Sequence, residues 1–178
     1  MVGVCAGISR TGADETKHER LVYNAARSGV EQMMPEETVT VFLLVRHQNE
    51  QAAQSQLVCR PGDCIVMELH AVNRGREEAA DISVSHMLRD HLSYVPDTLR
   101  ADQGDAKLLF RLLRWKVPSL APQAAAKISL HLYVQKENPQ HTVPLGAAYT
   151  YWQGGNRYGP QEAAGAVLYQ KDAMSGHE

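Results

Sequence analysis

From Thr38 onward the chain alternates in a way that predicts strands. Val39, Val41, Leu43 and Val45 alternate with Thr38, Thr40, Phe42 and Leu44, a β-branched run with one face turned to a core. Gln48 to Gln56 reads as a polar connector, and Pro61-Gly62-Asp63 supplies turn chemistry before the next strand. That strand, Cys64 to Asn73, places Ile65, Met67, Leu69 and Ala71 on one face and Glu68 and His70 on a wet one. Asn73-Arg74-Gly75 stops it, since Asn and Gly tolerate left-handed backbone angles. Ala80, Ile82, Val84 and His86 then alternate with Asp81, Ser83 and Ser85, which predicts a hairpin with the preceding strand.

Leu92 to Pro96 is extended, and Pro96 confines it to an edge. Residues 101–107 read as a polar loop. Leu108, Phe110, Leu112, Trp115 and Val117 follow as the most apolar stretch, with a helix over 106–115 as the competing reading and Pro118 and Pro122 as its end. The plainest period-two pattern is Ala126, Ile128, Leu130, Leu132 and Val134 against Lys127, Ser129, His131 and Tyr133, which predicts a central strand. Segments 143–152 and 163–169 supply the last strands, with turns at Gly154-Gly155-Asn156 and Tyr158-Gly159-Pro160.

The organisation that results is an N-terminal leader over 1–36, irregular or a short helix, an all-β sandwich over 37–170, and a tail over 171–178. With 178 residues there is room for one core, and no internal repeat fills the chain. Hydrophobic residues at 44% and charged residues at 21% suit a folded domain. A net charge of -2 offers no basic field for phosphates, so nucleic-acid binding is set aside. No stretch has the roughly 18 apolar residues of a membrane span, and residues 1–10 lack a basic leader, so no signal peptide is visible. Cys5, Cys59 and Cys64 leave at least one thiol unpaired.

Taken in order, the elements resemble the conserved repeat domain of bacterial surface proteins, domain of unknown function number eleven. The matching residues are Pro61-Gly62-Asp63, Asn73-Arg74-Gly75, the run from Ala79 to Val84 leading to Leu88, and Leu92 to Pro96. Leu113 to Val117, Leu120-Ala121-Pro122 and the strand to Val134 follow. The resemblance covers about residues 57–135. His86 stands where the family has aspartate and Arg89 where it has proline. The resemblance implies an immunoglobulin-like two-sheet antiparallel β-sandwich in a cell-envelope or extracellular protein, acting as a stalk, a cross-linked element or an adhesive surface. It implies no catalytic residues and no cofactor.

Candidate chemistry is sparse. His86, Asp90 and His91 carry donors of the kind zinc accepts, against the plainer reading of solvated loop residues. His70 and His131 would pair across a sheet if their strands are neighbours. Cys59 and Cys64 flank a tight turn, and both a disulfide and two plain thiols remain open. Tyr149, Tyr151, Trp152 and Tyr158 form a late aromatic cluster. Tyr149 and Tyr151 share a face that is either core or contact stripe, and Tyr151, Trp152 and Tyr158 are the candidate contact residues.

The leading functional expectation is a non-catalytic structural or adhesive envelope module whose partners are other envelope proteins or surface glycans. The alternative is a carbohydrate- or peptide-binding sandwich that uses the aromatic cluster. A zinc hydrolase at His86 comes third. Trp115 is expected to anchor the core.

Overall fold

The computed structural model describes residues 38–135 and 141–171. The leader, with Cys5, and residues 172–178 of the tail lie outside the described residues. Thirteen strands account for the secondary structure, with no helix among the described residues.

Two antiparallel sheets face each other. In the first, β1 (Val39–His47) pairs with β3 (Cys64–Asn73), β3 with β9 (Ala125–Val134), and β9 with β5 (Leu92–Tyr94) and the two-residue β6 (Arg100–Ala101). The second runs β12 (Asn156–Glu162), β11 (Ala148–Gln153), β4 (Ala79–Met87), β8 (Leu112–Leu120), β7 (Asp105–Leu109). A smaller sheet joins β10 (Thr142–Leu145), β13 (Ala166–Gln170) and β2 (Gln56–Cys59), with β13 and β2 parallel. Its connecting chain reaches the free side of β1, where Leu43 N donates to Ala164 O and Ala164 N to Val41 O, so that edge is partly covered.

The architecture is all-β, as the alternation predicts, and it is the immunoglobulin-like sandwich that the resemblance implies. Val39, Val41, Leu43 and Val45, then Ile65, Met67, Leu69 and Ala71, then Ile128, Leu130 and Leu132 all face one core. Ile82, Val84, Leu113, Trp115 and Val117 meet them from the second sheet. Because the side-chain period of a strand is two, this pattern leaves no choice of face.

Several readings of connection need correction. Strands β3 and β4 do not form a hairpin: β3 lies between β1 and β9, and β4 between β11 and β8, so residues 74–78 cross from one sheet to the other. Neither Asn73 nor Gly75 adopts a positive φ. Asn73 stops the strand through its side chain, whose Oδ1 accepts from Gly75 N at 2.9 Å. The outer face of β3 is also drier than expected, since Val66 and Glu68 are both buried there.

The polar connector contains β2, and the polar loop before Leu108 contains β7. The helix over 106–115 is replaced by a β7–β8 hairpin turning at Phe110 and Arg111, because Leu108 and Leu113 pair and Leu109 meets Leu112. Pro118 does not end β8. It sits beyond Asp105, where β7 stops bonding, and between the positions of β8 that pair with Ala80 and Ile82, so no partner lacks its missing N–H. Tyr158-Gly159-Pro160 is likewise part of β12 and not a turn, whereas Gly154 and Gly155, both at positive φ, do make the β11–β12 turn.

The strands of His70 and His131 are neighbours, but the two residues do not pair. His70 lies opposite Lys127 and His131 opposite Val66. His70 instead stacks on Phe42, with ring centroids 4.9 Å apart, and its Nε2 lies 3.0 Å from Glu68 Oε2.

Candidate functional site

The late aromatics lie on β11 and β12 of the second sheet, and the strand period separates them. Tyr149 and Tyr151 point inward and are buried, as the core reading of that face requires. Tyr151 is therefore removed from the candidate contact set: its side chain is fully buried and stacks on Tyr158 at 4.8 Å, which leaves Tyr158 half-buried against it. Trp152 points outward and is 44% exposed. It lies opposite Arg157 of β12 and Ala80 of β4.

Beside Trp152 the sheet is irregular. Asp81 has a φ of 48°, and the β4–β11 register slips between Thr150 and Trp152. A bulge of this kind bends the strand and re-aims side chains. A cleft of about 370 Å³ opens there, lined by Asp81, Ser83, Lys116, Pro118, Thr150 and Arg157. Asp81, Lys116 and Arg157 are exposed and take part in none of the ion pairs among the described residues. The carboxylate opposite Lys116 across the ladder, Asp105, is held by Lys107 at 2.9 Å.

Sequence reasoning placed Trp152 and Tyr158 near this face and missed Asp81, Lys116, Thr150 and Arg157. Asp81 had only the signal of a polar alternation position. Lys116 and Arg157 come from strands that only the folded sheet order brings to one patch.

A second cleft of about 380 Å³ is lined by Ser85, His86, Arg89, Leu112, Gly146 and Glu162, among others. His86 is buried, with Nδ1 2.6 Å from Gly146 O. Since a carbonyl only accepts, Nδ1 carries the proton, and Nε2 is a lone pair buried without a hydrogen-bond partner. Burial holds the His86 pKa below the usual histidine value, with Arg89 pressing the same way and the Gly146 hydrogen bond opposing.

The proposed zinc set is not assembled. The His86 ring is committed to Gly146, and the Asp90 carboxylate pairs with Arg111. Among the described residues no three His, Cys, Asp or Glu side chains converge as a metal would require. Cys59 and Cys64 are both free thiols, not a disulfide. Burial pushes the Cys59 thiol up to about 11, with the Asp63 charge adding to it, and burial raises Cys64 as well. Thiols so shifted are protonated and weakly nucleophilic at neutral pH.

No protein-family model matches this sequence, and no curated protein does. Solved structures share the fold. The major pilin subunit BcpA of Bacillus cereus superposes with a TM-score of 0.58 at 9% identity over 75% of this chain and 40% of that one. The 35 kDa C-terminal fragment of a major pilin of Streptococcus agalactiae gives 0.53 at 8% identity, over 74% of this chain and 56% of that one. A non-cellulosomal cohesin from Archaeoglobus fulgidus gives 0.52 at 11% identity, over 79% of this chain and 96% of that one. The chain thus spans well under two thirds of the length of the pilin structures it matches. At these identities the likeness is one of fold. No helix among the described residues is long and apolar enough to cross a membrane.

Proposed function

We propose that this chain is a non-catalytic structural module of a bacterial surface protein, of the conserved-repeat kind that its sequence motifs resemble. One observation carries the reading: the sandwich is shared with pilin subunits, of which it matches a part, as a module within a longer surface protein would. Its buried polar groups fit that role, because they hold the framework. Asn73, Gln153 and His86 are buried, and each bonds to backbone carbonyls of other strands and loops. A framework pinned in this way specifies one packing and demands no reactive side chain.

Surface exposure of the native protein tests the reading. Intact cells would be treated with external protease, and the chain followed by antibody. It should be cleaved or released from intact cells and should fractionate with the envelope. Recovery only from the cytosol, fully protected, would overturn the assignment.

A second reading has a specific observation in its favour. Trp152, exposed opposite Arg157, whose side chain lines the cleft, suits a sandwich that binds a carbohydrate or peptide on its sheet face, with other envelope proteins or surface glycans as partners.

A further inference from the structure

The geometry points to the cleft beside Trp152 as a binding site for an acidic glycan, a polymer of sugar rings that bear carboxylates. This rests on the second reading above and names its ligand.

The backbone supplies the first argument. Asp81 sits in the left-handed region at a φ of 48°, which aspartate tolerates better than most residues, and it is the extra residue of a bulge in β4. Asp81 lies between Ala80 and Ile82, whose partners on β8 are Ser119 and Val117, so it faces Pro118, which has no N–H to give. On its other side the register with β11 slips. Both ladders of β4 are thus interrupted at one place, and the 370 Å³ cleft is the result. A regular antiparallel face would be flat there.

The side chains supply the second argument. Lys116 and Arg157 contribute two cations and Asp81 one anion, none of them in an ion pair. Arg114 extends the positive charge along the same face of β8, two residues from Lys116. Although the whole chain is net negative, at -2, this patch is net positive, so it selects anionic groups locally. Ser83 and Thr150 add hydroxyls, and Asp81 adds an acceptor for sugar hydroxyl donors. Trp152 presents a flat apolar surface beside Arg157. Ring faces, hydroxyls and carboxylates in one molecule are the chemistry of a uronic-acid polymer. An extended peptide would instead add to a sheet edge through its backbone, and this cleft lies on a sheet face.

The test is calorimetric titration of the full chain with oligogalacturonate. Neutral cello-oligosaccharide of equal length and oligoglutamate serve as comparison probes. Oligogalacturonate should bind, and Trp152→Ala and Arg157→Gln should each weaken it at least tenfold without moving the thermal midpoint, as both side chains are exposed. Asp81→Asn, which tolerates the same φ, should also weaken binding. Absence of oligogalacturonate binding would overturn the proposal. So would equal binding of oligoglutamate, which would mean charge alone or a peptide site, or full affinity in Trp152→Ala. The protease test on intact cells reads the surface-module assignment independently, so a chain that is exposed on cells yet binds no uronate refutes the glycan site alone.

Discussion

The Asn73 side chain donates from Nδ2 to the backbone carbonyl of Leu120 at 3.0 Å, joining the end of β3 in one sheet to the end of β8 in the other. The same amide group donates to Glu77 O at 2.8 Å, and its Oδ1 accepts from Gly75 N and from Gln153 Nε2. Gln153 in turn accepts from Thr38 Oγ1, just ahead of β1. One fully buried asparagine therefore ties four chain segments together at one end of the sandwich.

Asn73→Ala should destabilise the domain more than an ordinary hydrogen-bond deletion does. It strands the buried Leu120 carbonyl of the second sheet and the buried Gly75 N–H of the crossover, each costing about 1–3 kcal/mol when left unsatisfied. Denaturant unfolding measures this, and a change below about 0.5 kcal/mol would show that water replaces the side chain.

Trp115→Ala should cost about 3–5 kcal/mol out of the roughly 5–15 kcal/mol a domain has. The indole is completely buried, and its Nε1 donates to Gln103 O at 2.9 Å, so the loop before β7 loses an anchor along with the core contacts. An unchanged thermal midpoint would contradict this packing.

His86 should make the domain acid-sensitive. Its folded pKa lies below the ordinary value of 6.5, so the unfolded chain takes up its proton first as pH falls. The stability it contributes is fully present above pH 6.5 and is lost as pH drops from there through the folded value. Arg89 opposes the protonated ring, and Glu162 is the acid that lines the same cleft. Glu68 adds a second loss at lower pH. Burial alone would raise its pKa, but hydrogen bonds from His70 and Arg46 outweigh that and hold it below 4.5. Thermal midpoints between pH 7.5 and 5 should fall in the native protein and fall less in His86→Gln. Parallel curves would assign the loss elsewhere.

Phe110→Gly should leave stability unchanged or raise it. Phe110 occupies the β7–β8 turn at a φ of 56°, fully exposed, where glycine carries no steric penalty. The added freedom of glycine in the unfolded chain offsets part of the gain, by about 0.4–1 kcal/mol. A loss above about 1 kcal/mol would mean the ring makes a stabilising contact.

The division between what could be read from the chain and what could not is physical. Strand faces were legible because burial on one side of a sheet imposes a period of two, so the core faces of β1, β3 and β9 follow from local order alone, whereas the stretch holding Trp115 read as strand or helix until its pairing with β7 and β4 decided it. That Tyr149 and Tyr151 share a face was legible in the same way, but whether that face is core or contact stripe was decided only by the fold, which buries both. Which strand lies beside which is a different kind of fact, set by packing between segments far apart in sequence. Hence the supposed β3–β4 hairpin is a crossover, and His70 faces Lys127 rather than His131. The short strands β2 and β7 were hidden because edge strands bury little, and their polar residues look like loop. The cleft was hidden for the same reason. Asp81, Lys116 and Arg157 are unremarkable positions in three separate strands, and only the sheet order β12–β11–β4–β8 sets them around one bulge beside Trp152.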